Sequence, residues 1–102
     1  MLDQNSKNKT RSIIGLAIEK ALLELGTEEG KNVVKQLDSN YQCYLFDIFD
    51  NPQHLKQILY KLYPTKYSKI LHLIEKQLKE FSENEPIKYF INYMKEPKSE
   101  GA

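Results

Sequence analysis

Within the stretch YLFDIFDNPQHL, residues 44–55, two carboxylates, an amide and an imidazole fall close together as Asp47, Asp50, Asn51 and His54. Side chains of these types can hold a hard cation or pass a proton, so the chemistry to weigh is metal binding or acid–base work. The spacing favours neither. A hard-cation loop brings three or more oxygen ligands and a glycine at its sharp turn, and bulky aromatics stand here where that glycine is needed. Asn51 precedes Pro52, whose ring presets φ for a first helical position and pushes the preceding residue out of the α region. Asn51 and Pro52 are therefore expected as the cap and first residue of a helix. Asp50 adds negative charge beside its positive end, and Asp47 is left exposed.

The remaining reactive side chains are isolated. His54 and His72 fall at polar positions of helices and are expected to be solvated; neither has a second histidine at the i+4 spacing of a helical zinc pair. Cys43 is the only cysteine, which excludes an intramolecular disulfide, and its place beside an aromatic run marks it as a small buried filler. There is no glycine-rich phosphate loop, no GxSxG and no CxxC. The expectation is a protein without catalytic activity, metal or cofactor.

The elements that position these residues are helical, because apolar residues recur at i, i+3 and i+4 almost throughout. A first helix is expected from Thr10 or Arg11 to Leu25, ended by a left-handed Gly26, and Thr27 then caps a second with Glu28 and Glu29 in its first turn. The second helix has a narrow apolar stripe of Gly30, Val33, Val34 and Leu37 and closes at Asp38-Ser39-Asn40. Leu45, Phe46, Ile48 and Phe49 are expected to plug the core beneath a short extended or single-turn segment. A third helix runs from Pro52 to Tyr63 with Leu55, Ile58, Leu59 and Leu62 on its core face. The fourth runs from Thr65 or Lys66 to about Ser82 on Tyr67, Ile70, Leu71, Ile74, Leu78 and Phe81. Asn84 repeats the cap before Pro86, opening a fifth helix on Ile87, Phe90, Ile91 and Met94. The fold class is an all-α, compact single-domain bundle of four to five short helices spanning 10–95, with residues 1–9 and 96–102 as disordered tails.

Two surfaces stand out on these helices. The first helix is apolar on two sides: opposite its core face lie Leu16 and Leu23, flanked by Ile13. Such a helix is either central in the fold or shared with another chain. A central position, with Leu16 and Leu23 buried in a monomer, is favoured; self-association through Ile13, Leu16 and Leu23 in a homodimer is the alternative. The second surface is basic, since six lysines and one acid fall between His54 and Lys79. Lys69, His72, Lys76 and Lys79 share the polar side of the fourth helix with Lys66 near its edge, and on the third Tyr60 lies between Lys56 and Lys61. Lysines with an interleaved tyrosine can hold phosphates and stack a base. Arginine, the usual base reader, is absent here, so a solvated face or a dock for an acidic protein is favoured over nucleic acid.

Length and charge bound the rest. A chain of 102 residues makes one core and not two. The net charge of +1 gives no argument for nucleic acid or anionic lipid, although residues 1–50 carry six basic against eight acidic residues and 51–102 nine against six. The N-terminus MLDQNSKNKTRS has no apolar signal region, and the longest apolar run, IIGLAI, is far short of the ~18 residues of a membrane span. A cytoplasmic location without membrane insertion is expected.

Three segments carry a family resemblance: AIEKALLELG in the first helix, LFDIFDNPQHLKQILYKLY across the cap and third helix, and YSKILHLIEKQL in the fourth. Together they resemble the fifth type of the Nitrosopumilus output domain family, small archaeal helical domains found alone or fused behind signalling proteins such as receiver domains and KaiC-like ATPases. The resemblance covers roughly Ile13 to Leu78 and rests on core and cap residues. It implies an output or adaptor role, exerted by binding a protein partner and without catalysis, and it assigns no functional residues. A small nucleic-acid-binding regulator using the lysine and tyrosine face is the alternative.

Overall fold

Ile14, Ala17, Ile18, Ala21 and Leu22 recur at helical spacing. In the computed structural model, which describes residues 2–96, they form one buried face of α1, Leu2–Leu25. The helix begins at Leu2 and not at Thr10 or Arg11, so residues 2–9 belong to it rather than to a tail. Polar side chains hold this first part: Thr10 is buried, and Lys7 and Arg11 both reach the Asp50 carboxylate, at 3.9 and 2.6 Å. Contacts of that kind leave no apolar period for sequence reading to find. Met1 and residues 97–102, also expected as tails, lie outside the described residues.

A single residue, Gly26, joins α1 to α2, Thr27–Tyr41. Its φ of 156° and ψ of 146° are extended rather than left-handed helical, and a side chain there would meet the Glu29 carboxylate. Gly26 occupies the cap position expected for Thr27, which is instead the first helical residue; Glu28 and Glu29 lie in the first turn as expected. The left-handed residue is at the other end of α2. Gln42, at φ 50° and ψ 43°, turns the chain so that its own N–H and that of Cys43 donate to the Asp38 and Leu37 carbonyls, at 2.9 and 3.2 Å.

After a short 3₁₀ turn at Leu45–Asp47 come α3, Pro52–Leu62, a second turn at Pro64–Lys66, and α4, Tyr67–Gln77. A third turn, Lys79–Phe81, replaces the end of the longer helix expected there, and leads to α5, Glu85–Lys95. Asn84 caps α5 through its side chain, which accepts from the Ile87 N–H at 3.1 Å. The C-terminal carbonyls of α5 are met by side chains from two other helices. Lys56 Nζ of α3 donates to Tyr93 O at 2.9 Å, and Tyr67 Oη of α4 donates to Met94 O at 2.7 Å.

The fold is thus all-α, with five helices and no strand among the described residues. α1 is central: it packs against α2, α4, α5 and the Leu45–Asp47 turn, while α3 bridges α2 and α5. The Cα radius of gyration of 13.1 Å matches the ~13 Å of one folded 100-residue domain. Ile14, Ile18, Ile48, Leu59, Ile74 and Phe90 lie fully buried at the centre. Of the expected core plug only Ile48 is fully buried; Leu45 and Phe49 are half-buried and Phe46 faces outward. No described helix is long and apolar enough to cross a membrane.

Candidate protein-docking site

Being central does not bury every side of α1. Leu16 is 46% and Leu23 62% exposed, so the expectation that both are buried in the monomer is overturned. Ile13 turns inward and packs on the core. The reason is geometric: the partners of α1 all lie on one side of its axis, and the strip carrying Leu16 and Leu23 is left facing outward.

That strip borders a groove of about 400 Å³ between α1 and α2. Leu22 and Leu23 form one wall, Val34 and the stem of Lys31 the other, and Leu45 reaches the same groove from the 3₁₀ turn. Gly30 lets α2 lie close on α1, since a Cβ there would stand only 3.4 Å from that of Leu22. Val34, expected in the core stripe of α2, is 43% exposed on the groove wall. Beside Leu16, Phe46 rests its ring on Gly15, where a side chain would collide with it, and Tyr44, two residues earlier, is also exposed. Among the described residues five of the six exposed large hydrophobics, Leu16, Leu23, Val34, Tyr44 and Phe46, therefore lie on α1, on α2, or at the start of or within the turn packed on α1; the sixth is Tyr89 of α5. Glu19, Lys31 and Lys35 line the same groove, and none is in an ion pair among the described residues.

The basic surface read from the sequence is partly dismantled. Lys56 is buried, its ammonium held by Tyr93 O and lying 4.5 Å from the Tyr93 ring centre, so it offers nothing to a ligand. Tyr60 is half-buried and stacked on Tyr67 with ring centres 4.1 Å apart, which occupies one face expected to be open to a base. Lys66 pairs with Glu29 at 3.4 Å and Lys76 with Glu24 at 3.6 Å. Lys61, Lys69, His72 and Lys79 remain exposed, and among the described residues none of the four is in an ion pair. The pairing acids come from α1 and α2, far from these lysines in sequence, which is why a wheel of α4 alone overstates its charge.

The carboxylates of YLFDIFDNPQHL are used structurally. Asp47 is not idle: its Oδ2 accepts from the Tyr44 N–H at 3.1 Å and its own N–H donates to Tyr44 O at 2.9 Å, closing the 3₁₀ turn. Asn51 stands at the cap position of α3 but makes no side-chain cap bond; its Nδ2 donates to Asp47 O at 3.2 Å. Asp50 serves α1 rather than α3. Among the described residues no three His, Cys, Asp or Glu side chains gather as metal ligands would. His54, expected to be solvated, is half-buried and stacked on Tyr41 at 4.1 Å, with its Nδ1 buried and without a hydrogen-bond partner. The Cys43 thiol is buried as expected, and burial, with the Asp47 carboxylate second, raises its pKa above the ordinary value. Burial likewise raises that of Tyr67, seconded by Tyr60 and Tyr93.

The exposed apolar residues of the candidate site are half visible in the sequence. The second apolar side of the first helix marked Leu16 and Leu23, whereas Val34, Tyr44 and Phe46 carry no signal separating them from core residues. No protein-family model, curated protein or solved structure matches this chain.

Proposed function

We propose that the chain is a non-catalytic, small helical output or adaptor domain that acts by docking another protein. The observation supporting this is the apolar groove between α1 and α2, walled by Leu22, Leu23, Val34 and Leu45 and bordered by the exposed Leu16, since an exposed apolar groove on a small domain marks an interaction site. The signalling role, in an archaeal-type regulatory system of the cytoplasm, rests on the resemblance of the helix and cap segments to output domains. A scan of substitutions in cells that depend on the protein, with abundance and growth read separately, tests it. Leu16, Leu23, Val34 and Phe46 are expected to tolerate polar changes in abundance but not in growth. The same pattern at Lys61, Lys69, His72 and Lys79 instead would overturn the docking reading in favour of a nucleic-acid-binding regulator.

A further inference from the structure

The groove's chemistry restricts what can lie in it. Beside the groove the Leu22 carbonyl accepts from the Gly26 N–H and the Gly30 N–H donates to the Gly26 carbonyl, at 3.0 Å each, and beyond this junction the backbone groups of α1 and α2 bond within their own helices; the groove walls are formed by Leu22, Leu23, Val34 and Leu45. An extended segment seated there would bury most of its own amides without partners, which is unfavourable for each group left unsatisfied. A helix satisfies its backbone internally, so an amphipathic helix is the occupant this surface can accept. The apolar strip from Leu16 to Leu23 is two turns long, as is the facing wall of α2 from Thr27 to Val34.

Charge then selects among helices. Lys31 and Lys35 stand on the α2 side, and on the far flank of the leucine strip Lys20 is exposed, four residues after Leu16 and three before Leu23. None of the three is in an ion pair among the described residues, and Glu19 is the only acid lining the groove. A second copy laid antiparallel fits less well. Laid antiparallel across a two-fold, the leucine strips would set Glu19 beside Glu19 on one flank and Lys20 beside Lys20 on the other. We propose that the α1–α2 groove takes an amphipathic helix of a partner protein. Its apolar face lies on Leu16, Leu23 and Val34, and acidic residues on its flanks meet Lys20, Lys31 and Lys35.

This rests on the docking reading above, and two synthetic peptides separate them. Both are helices of about five turns with leucines at i, i+3, i+4 and i+7. One carries glutamate on its flanks and the other lysine. By fluorescence anisotropy the glutamate peptide is expected to bind about tenfold more tightly or better, and Lys31→Glu with Lys35→Glu to abolish or reverse the preference. Leu23→Ser with Val34→Ser should weaken the glutamate peptide by at least about tenfold with the melting temperature little changed, because both side chains are exposed. Equal affinity for the two peptides, or indifference to the serine changes, would overturn the acidic helix. So would a wild-type dimer in sedimentation that Leu23→Ser converts to monomer, since the occupant is then a second copy. If the growth scan marks the groove while the peptides show no preference, docking stands and only the acidic helix falls. If the scan marks other residues, the docking reading itself falls.

Discussion

Asp47 and Asn51 show how a side chain's role depends on which backbone group it reaches. Asp47 holds the Tyr44 N–H, whereas Asn51, at the cap position of a proline-led helix, donates backwards to a carbonyl. Asp47→Ala is therefore expected to lower stability by about 0.5–2 kcal/mol in urea unfolding, as loss of a cap does. Asn51→Ala should lower it by no more than about 1 kcal/mol, the worth of an ordinary hydrogen bond; a silent Asp47→Ala would refute this assignment. Glu29 gives a pH dependence. Its carboxyl is held below its ordinary pKa of 4.5, first by a hydrogen bond to its own backbone N–H and then by Lys66. A depressed carboxylate contributes stability that is present above the unfolded value and is lost as pH falls through the folded one. The melting temperature of wild type should exceed that of Glu29→Gln at neutral pH, and the two curves should converge below about pH 4. Divergence on acidification would contradict the sign.

At the scale of elements, local chemistry was legible where it repeats along one helix. The buried faces of α1, α3, α4 and α5 follow the apolar period closely, and the Asn84 cap is where the proline places it. What could not be read are features supplied by another element. The N-terminal turns of α1 are held by Asp50, thirty-nine residues beyond Arg11, and the end of α5 is met by Lys56 and Tyr67 from α3 and α4. Lys56 looks like a surface residue in its own helix, and only the approach of the Tyr93 carbonyl explains its burial. The candidate groove was legible on its α1 wall alone, because Val34 continues the apolar stripe of α2 and nothing in the sequence says that α1 stops short of covering it. The end of α2 gives a prediction of its own. Gln42 adopts a left-handed conformation that costs a residue with a side chain about 1–2 kcal/mol. Gln42→Gly should raise stability by about 0.5–1 kcal/mol after the extra chain entropy of glycine, and Gln42→Val should lower it. Denaturant midpoints measured at unchanged slope would check both.

Over the whole molecule, burial and exposure along α1 follow the helical period, so that the boundary between core and surface falls between neighbouring residues. Leu22 and Leu23 are adjacent in sequence, yet one is 2% and the other 62% exposed. Leu22→Asp should unfold the protein, since a core cannot hold an unpaired charge. Leu23→Asp should leave a cooperative, folded protein within about 0.5 kcal/mol of wild type, as substitutions at exposed positions do. Circular dichroism melts of the pair test the placement of the groove wall directly. The Gly26 link reaches further. One residue in a conformation that side chains rarely adopt is all that separates two helices, and with helical dihedrals there Leu2–Tyr41 would run on as a rod about 60 Å long. Such a rod would carry α1 away from its own α4 and α5 while leaving it able to fill the same place in another molecule. Gly26→Ala raises the energy of the bend and favours the rod, so it should yield interlocked dimers by exchange of the first helix, seen as a concentration-dependent dimer of unchanged helix content. A glycine that reads as punctuation between two helices is in this sense the latch that keeps each chain folded upon itself.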